Sequence, residues 1–98
     1  MNYAVFWTAR ARREVDAIAA FIAEDNPRAA RATKQKIERS TEILKTNPRF
    51  YRQSWYMPEC RDIVVDSYLL IYEVFDDARE VHILRAFHGA RDIAALLL

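Results

Sequence analysis

A chain of 98 residues is long enough for one modest core and too short for two, so residues 1–98 are expected to form a single domain. Its 15 Lys and Arg stand against 14 Asp and Glu, and this balance excludes a global electrostatic pull toward nucleic acid or membranes. One cysteine excludes an internal disulfide, and neither a signal-peptide pattern nor an apolar run of ~20 residues is present, so a cytoplasmic protein is expected.

The aromatic and β-branched run Tyr3–Trp7, "YAVFW", reads as a strand. Thr8 follows as an N-cap. Ala11, Val15, Ile18, Ala19 and Ile22 then recur at helical spacing and define a first helix that ends near Glu24. In "EDNP", Asn26 caps a second helix with Pro27 at its first position. That helix carries Ala30, Thr33, Ile37, Thr41 and Leu44 on one face and is expected to run to "TNP", Thr46–Pro48, because the residue before proline resists helical geometry. From Asn26 to Arg52 eight cations oppose two anions, a basic half that is suited to an acidic partner. The second half, from Arg61, carries four Arg against seven carboxylates and is no cradle for a polyanion.

The segment Pro48–Glu59 holds Phe50, Tyr51, Trp55 and Tyr56, which is unusually aromatic for a loop; it is expected to pack back onto the fold or onto a partner. Three strands follow: Arg61–Val65, Tyr68–Phe75 and Val81–Phe87. Their short connections favour an antiparallel meander. "YLLIYEVF" is apolar at both parities, as befits a central strand covered on both faces. The order strand, two helices, three strands implies an α+β fold, with both helices on one face of a mostly antiparallel sheet.

Few catalytic signatures are present. One glycine cannot make a phosphate loop, and Cys60, His82 and His88 lack zinc spacing. Cys60 is expected to be an inert, partly buried thiol. No metal or cofactor is expected. A metal-free ribonuclease would need a base, an acid and cations, for which Arg61, Glu73, Arg85 and His88 are the right types. Strict alternation along the last strand, however, puts Arg85 and His88 on opposite faces unless a bulge intervenes. The competing structural expectation pairs Arg85 with a carboxylate such as Glu73 and has His88 cap the strand end. Gly89 is expected to end the strand in a turn of positive φ, and Asp92 to cap a last helical turn. The apolar tail Ile93–Leu98 either folds back onto the sheet, which is the favoured expectation, or faces a partner. On the first helix, Phe21 lies about 110° round from the apolar stripe with the small Ala17 beside it, an arrangement suited to a partner helix.

The stretches "IAEDNPRAA", "SYLLIYEV" and "VHILRAFHGARDI", in this order over nearly the whole chain, resemble the ParE branch of the ParE/RelE type II toxin superfamily. The ending, with Arg85, His88, Gly89, Arg91 and Asp92, is the most specific part. The resemblance implies the small toxin fold, a ParD-like antitoxin that wraps the toxin with an initially disordered helical segment, and DNA gyrase as target. It makes Arg85, His88, Arg91 and Asp92 target-binding candidates, and Ala17, Phe21, Phe50, Trp55 and Tyr56 antitoxin-binding candidates. No direct nucleic-acid binding is implied. Two alternatives stand beside it: a RelE-like ribosome-dependent messenger-RNA endonuclease, and an inactive relic that still binds its antitoxin. Against the endonuclease stand the apolar run after Asp92, the lack of any Tyr after Tyr72 and a mild pI of about 7.9. Ser67 and Glu73 depart from the ParE pattern, which usually has Gly and Arg there.

Overall fold

A computed structural model describes residues 2–92. Its elements are β1 (Ala4–Trp7), α1 (Ala9–Ala23), α2 (Pro27–Ser40), β2 (Arg61–Val65), β3 (Tyr68–Phe75) and β4 (Glu80–His88), with a 3₁₀ turn at Glu42–Lys45. The sheet order is β1-β4-β3-β2. The last three strands form the expected antiparallel meander, and β1 adds parallel to β4. Both helices cover one face, so the fold is the α+β arrangement the sequence implies.

The caps act where the side chains predict. Thr8 Oγ1 accepts the Ala11 N–H at 3.1 Å and donates to the Ile83 carbonyl at 2.9 Å, so one hydroxyl both starts α1 and ties that start to β4. Asn26 Oδ1 accepts the Ala29 N–H at 3.1 Å, with Pro27 opening α2. The end of α2 departs from expectation: the α-helix stops at Ser40 and continues as the 3₁₀ turn. Two hydroxyls compete for its last carbonyls, Ser40 Oγ donating to Ile37 at 2.6 Å and Thr41 Oγ1 to Glu38 at 2.8 Å. Leu44 nevertheless stays on the buried face.

The main core lies between helices and sheet, where Ala11, Val15, Ile18 and Ile37 meet Leu70, Tyr72, Val81 and Ile83. A second cluster on the opposite sheet face joins Cys60, Leu69, Ile71 and Phe87, and Tyr56 and Met57 of the aromatic loop pack against it. Leu69, Leu70, Ile71 and Tyr72 are therefore all buried, which accounts for the apolar residues at both parities of β3. The loop is tied down by Tyr51 Oη donating to the Ser40 carbonyl and Tyr72 Oη to the Pro48 carbonyl, each at 2.7 Å.

The register between β3 and β4 breaks once. Ile71 faces Arg85, but Tyr72 faces Ile83, so β4 carries one extra residue there, a β-bulge. Before it Val81 and Ile83 face the helices; beyond it Ala86 does, while Phe87 joins the second cluster. The strict alternation expected along this strand does not hold, and Arg85, just beyond the bulge, reaches Glu14 of α1.

Burial pushes the Tyr72 hydroxyl up from 10.0 to about 12. The folded state thus prefers the neutral phenol, and the stability this confers is present below pH 10 and lost as pH rises toward 12. At neutral pH Tyr72→Phe should cost about 1 kcal/mol through the lost bond to Pro48. Urea unfolding at stepped pH should show the wild type's advantage shrinking above pH 10 and reversing before pH 12; an advantage that persists would contradict this account of the buried phenol.

Candidate functional site

Along α1, Glu14 is followed three and four residues on by Ala17 and Ile18, and these four and three residues on by Phe21, so that the four form one stripe. The stripe faces the end of β4, and between them lies a groove of about 530 Å³ that is closed at its sides by Tyr68, Arg91 and Asp92. Its wall is apolar through Ala17, Ile18, Ala86 and Phe87. Phe21 is 63% exposed, and the Arg91 guanidinium lies 5.6 Å above its ring, so an aromatic and a cation together mark the open rim.

Glu14 organises the inner end. Its carboxylate accepts from Arg85 Nε at 3.1 and 3.2 Å and from the Ala86 N–H at 2.9 Å, and Arg85 Nη2 lies 3.1 Å away. β1 pairs with β4 only as far as Ile83, so the outward-pointing Ala86 amide has no strand partner, and one carboxylate serves both it and Arg85. Arg85 does pair with a carboxylate, but with Glu14 of α1 and not with the expected Glu73. Glu73 stands opposite His82, whose Nε2 lies 3.0 Å from Glu80 Oε1.

The outer end is built on His88. Its Nδ1 accepts the Arg91 N–H at 3.1 Å, and Asp92 Oδ2 accepts the His88 N–H at 3.1 Å. This reciprocal pair works like a capping box, with an imidazole in the usual Ser or Thr role and the returning carboxylate one position further along, and it starts the helical turn at residues 89–92. Because a backbone N–H is the donor, Nδ1 is the unprotonated nitrogen. His88 thus caps this turn rather than the strand end, and its ring meets Tyr68 edge-on at 5.6 Å. The positive φ expected of Gly89 is absent: the left-handed residues are Asp66 and Arg79. Gly89 is the first residue of the helical turn, its N–H donating to the Ser67 carbonyl at 2.9 Å. The tail Ile93–Leu98 lies outside the described residues.

The structure therefore joins two candidate sets that the sequence kept apart, since Ala17 and Phe21 share a groove with Arg85, Arg91 and Asp92. Tyr56 and His88 line a neighbouring recess of about 320 Å³. Trp55 and Phe50 are exposed on the aromatic loop and belong to neither cavity. Glu14 and Tyr68 escaped sequence reasoning; for Glu14 the spacing to Ala17 and Phe21 was the available signal.

The four residues suited to RNA cleavage are dispersed. Arg61 donates to the Tyr51 carbonyl at 2.7 Å on edge strand β2, with β3 between it and Arg85, whose partner is Glu14. Glu73 lies beside Cys60 of the second cluster, while His88 caps the terminal turn. Cys60 is buried, and burial first, then the nearby carboxylates Glu73, Glu59 and Asp62, push its thiol up to about 11, consistent with an inert role. No cluster of metal-ligating side chains occurs among the described residues, and none of their helices is long and apolar enough to cross a membrane.

The arrangement, a four-stranded sheet with two helices on one face, matches the fold of ParE and RelE toxins. A chain of the chromosomal ParDE toxin–antitoxin system of P. aeruginosa is similar with a TM-score of 0.74 and 23% identity, over 88% of this chain and 95% of that one. A double-arginine mutant of the E. coli toxin RelE in the free state gives 0.71 and 19% identity, over 99% and 95%. A chain of the RelBE2 toxin–antitoxin complex of Mycobacterium tuberculosis gives 0.60 and 23%, over 90% and 92%. No curated protein matches the chain in sequence. The family model for the ParE toxin of the type II parDE toxin–antitoxin system matches residues 5–93, and the chain belongs to that family.

Glu14→Ala leaves the Arg85 charge and the Ala86 amide without an acceptor, and should lower stability by about 2–3 kcal/mol in chemical denaturation. Arg10, 3.9 Å from the same carboxylate and well exposed, should tolerate Ala within about 0.5 kcal/mol. Gly89→Ala should be neutral or stabilising by up to ~1 kcal/mol, because an added Cβ meets only the Ser67 carbonyl at an ordinary 3.6 Å; a large loss would refute the reading of Gly89 as an ordinary helical residue.

Proposed function

We propose that this toxin acts in the cytoplasm by binding DNA gyrase, without catalysing a reaction, and that a ParD-like antitoxin neutralises it by laying an amphipathic helical segment in the groove of α1 and β4. The observation that carries this reading is the groove itself, an open apolar channel with Phe21 exposed and Arg91 over its ring. A channel of this shape accepts apolar residues at helical spacing, with a carboxylate of the same segment placed to reach Arg91. The dispersal of Arg61, Glu73, Arg85 and His88 supports binding over RNA cleavage, because general acid–base chemistry needs its groups within reach of one substrate atom. Family membership supplies the pairing with an antitoxin, and the ParE resemblance supplies gyrase.

Within this reading, Arg85 supports the groove from behind and His88 fixes the turn that carries Arg91. Asp92 holds that turn through the His88 N–H. Arg91, its side chain half exposed and its Nε 3.4 Å from Asp92 Oδ1, is the cation of this group that stands at the rim.

Two assays decide the matter. Purified protein should inhibit supercoiling by gyrase and leave messenger RNA on translating ribosomes intact; cleaved message with unaffected supercoiling would replace gyrase binding by endonuclease activity. Ala17→Glu, which puts an unpaired charge into the apolar wall, should reduce affinity for the antitoxin encoded beside the gene at least ~100-fold. Unchanged affinity would place the antitoxin elsewhere.

A further inference from the structure

Outside the groove, the aromatic loop carries a feature that folding alone does not explain. Trp55 is 79% exposed, with the Arg52 guanidinium 5.3 Å from its ring centre. Arg52 in turn stands 3.6 Å from Asp62, whose side chain is fully buried. Neither Asp62 oxygen has a hydrogen-bond partner among the described residues. A carboxylate removed from water in this way costs several kcal/mol unless a cation compensates it, and Arg52 is its ion-pair partner. The backbone adds a second tie, since the Asp62 N–H donates to the Arg52 carbonyl at 3.0 Å.

The bend that carries Trp55 is also fixed. Ser54 is buried and its hydroxyl accepts the N–H groups of Tyr56 and Met57, each at 3.1 Å. The Ser54 N–H donates to the Cys60 carbonyl at 2.9 Å. With its neighbours held inward, Trp55 projects as a knob whose position is set before any partner arrives. Rigid Trp and Arg pairs of this kind are what the energetic centres of protein interfaces are made of.

We infer that Trp55, stacked on Arg52 and positioned by the buried Asp62, is the anchor with which the toxin enters a preformed, acid-rimmed pocket on its folded protein target. This inference rests on the reading of the protein as a toxin that acts by binding. Shape favours a folded target over the antitoxin segment: a concave groove receives a helix, whereas a convex knob needs a pocket that already exists. Charge specifies the rim. Arg52 donates no hydrogen bond among the described residues and its side chain is 49% exposed, so its outward N–H groups call for a carboxylate. A nucleic-acid backbone is disfavoured because neighbouring cations are already engaged, Arg49 with Asp76, Lys36 with Asp66 and Arg61 with the Tyr51 carbonyl.

The test uses the full chain with Trp7→Phe, so that Trp55 alone reports, titrated with purified gyrase. Binding should shift the Trp55 emission to the blue and protect it from acrylamide. Trp55→Ala should weaken binding at least ~30-fold with its melting temperature retained. Asp62→Asn should weaken binding about 10-fold while the protein stays as stable as the wild type or becomes more so, because a buried charge is removed; a merely structural Asp62 would instead lower the melting temperature and leave the affinity alone. Equal gyrase affinity of Trp55→Ala and wild type, or unchanged Trp55 emission on binding, overturns the inference. If the wild type does not bind gyrase, only the choice of gyrase falls, and growth arrest on induced expression decides the knob: loss of arrest with Trp55→Ala supports it, undiminished arrest overturns it. A Trp55→Ala toxin that still arrests growth but escapes its antitoxin assigns the knob to the antitoxin and likewise overturns the inference.

Discussion

Helix α1 and the sheet are joined at one carboxylate. Glu14 accepts from the guanidinium of Arg85 and from the backbone N–H of Ala86, which points to the edge of β4 that β1, paired only as far as Ile83, leaves open. An amide on a strand edge beyond the end of the neighbouring strand has no ladder partner, and when buried without an acceptor it costs about 1–3 kcal/mol. Glu14 supplies the acceptor from another element, and the charge on both sides of the Arg85 contact strengthens it. The groove follows from this arrangement, since Ala17, Ile18 and Phe21 extend the Glu14 stripe along α1 and are thereby held over the end of β4.

The same bulge divides β4 between two cores. Val81, Ile83 and Ala86 pack under the helices, while Phe87 turns to the opposite face, where Cys60, Leu69 and Ile71 await it under the aromatic loop. Without the extra residue, Phe87 would follow Val81 and Ile83 toward the helices and His88 would point away from Tyr68. The loop therefore has a structural task as well as an exposed one. Tyr51 and Tyr56 pack inward, while Phe50 and Trp55 remain in solvent.

Local chemistry was legible in the sequence, and tertiary coincidence was not. Thr8 and Asn26–Pro27 announce their helices because a cap is a short-range bond between near neighbours. β3 announces its central place because both parities are apolar. The early end of α2 was hidden in Ser40 and Thr41, whose hydroxyls compete with the backbone without a fixed rule for which side prevails. The bulge was invisible because alternation assumes an unbroken period of two, and the partner of Arg85 lies 71 positions away in the chain. The positive φ expected of Gly89 belongs to Asp66 and Arg79 instead, since a glycine permits that conformation without requiring it. For the site, a helical projection revealed Phe21 and Ala17, but their meeting with Arg91 and Asp92 depends on the turn that His88 caps.

Under the proposed reading, neutralisation reaches the toxic surface by way of Tyr68. Tyr68 lines the groove on one side and the recess on the other, and the recess also contains Arg52. A segment seated against Ala17 and Phe21 thus lies one aromatic ring away from the cavity that Arg52 borders, and Arg52 carries Trp55. The intervening structure is a packed β3–β4 pair with its terminal turn bonded at both ends through His88 and Asp92, and such interiors resist gradual deformation. Transmission of a conformational change through it is unnecessary: an antitoxin that continues past Tyr68 covers the target surface directly. The two binding functions then remain separable by mutation, because concave and convex surfaces recruit different partners, while occupation of one physically excludes the other.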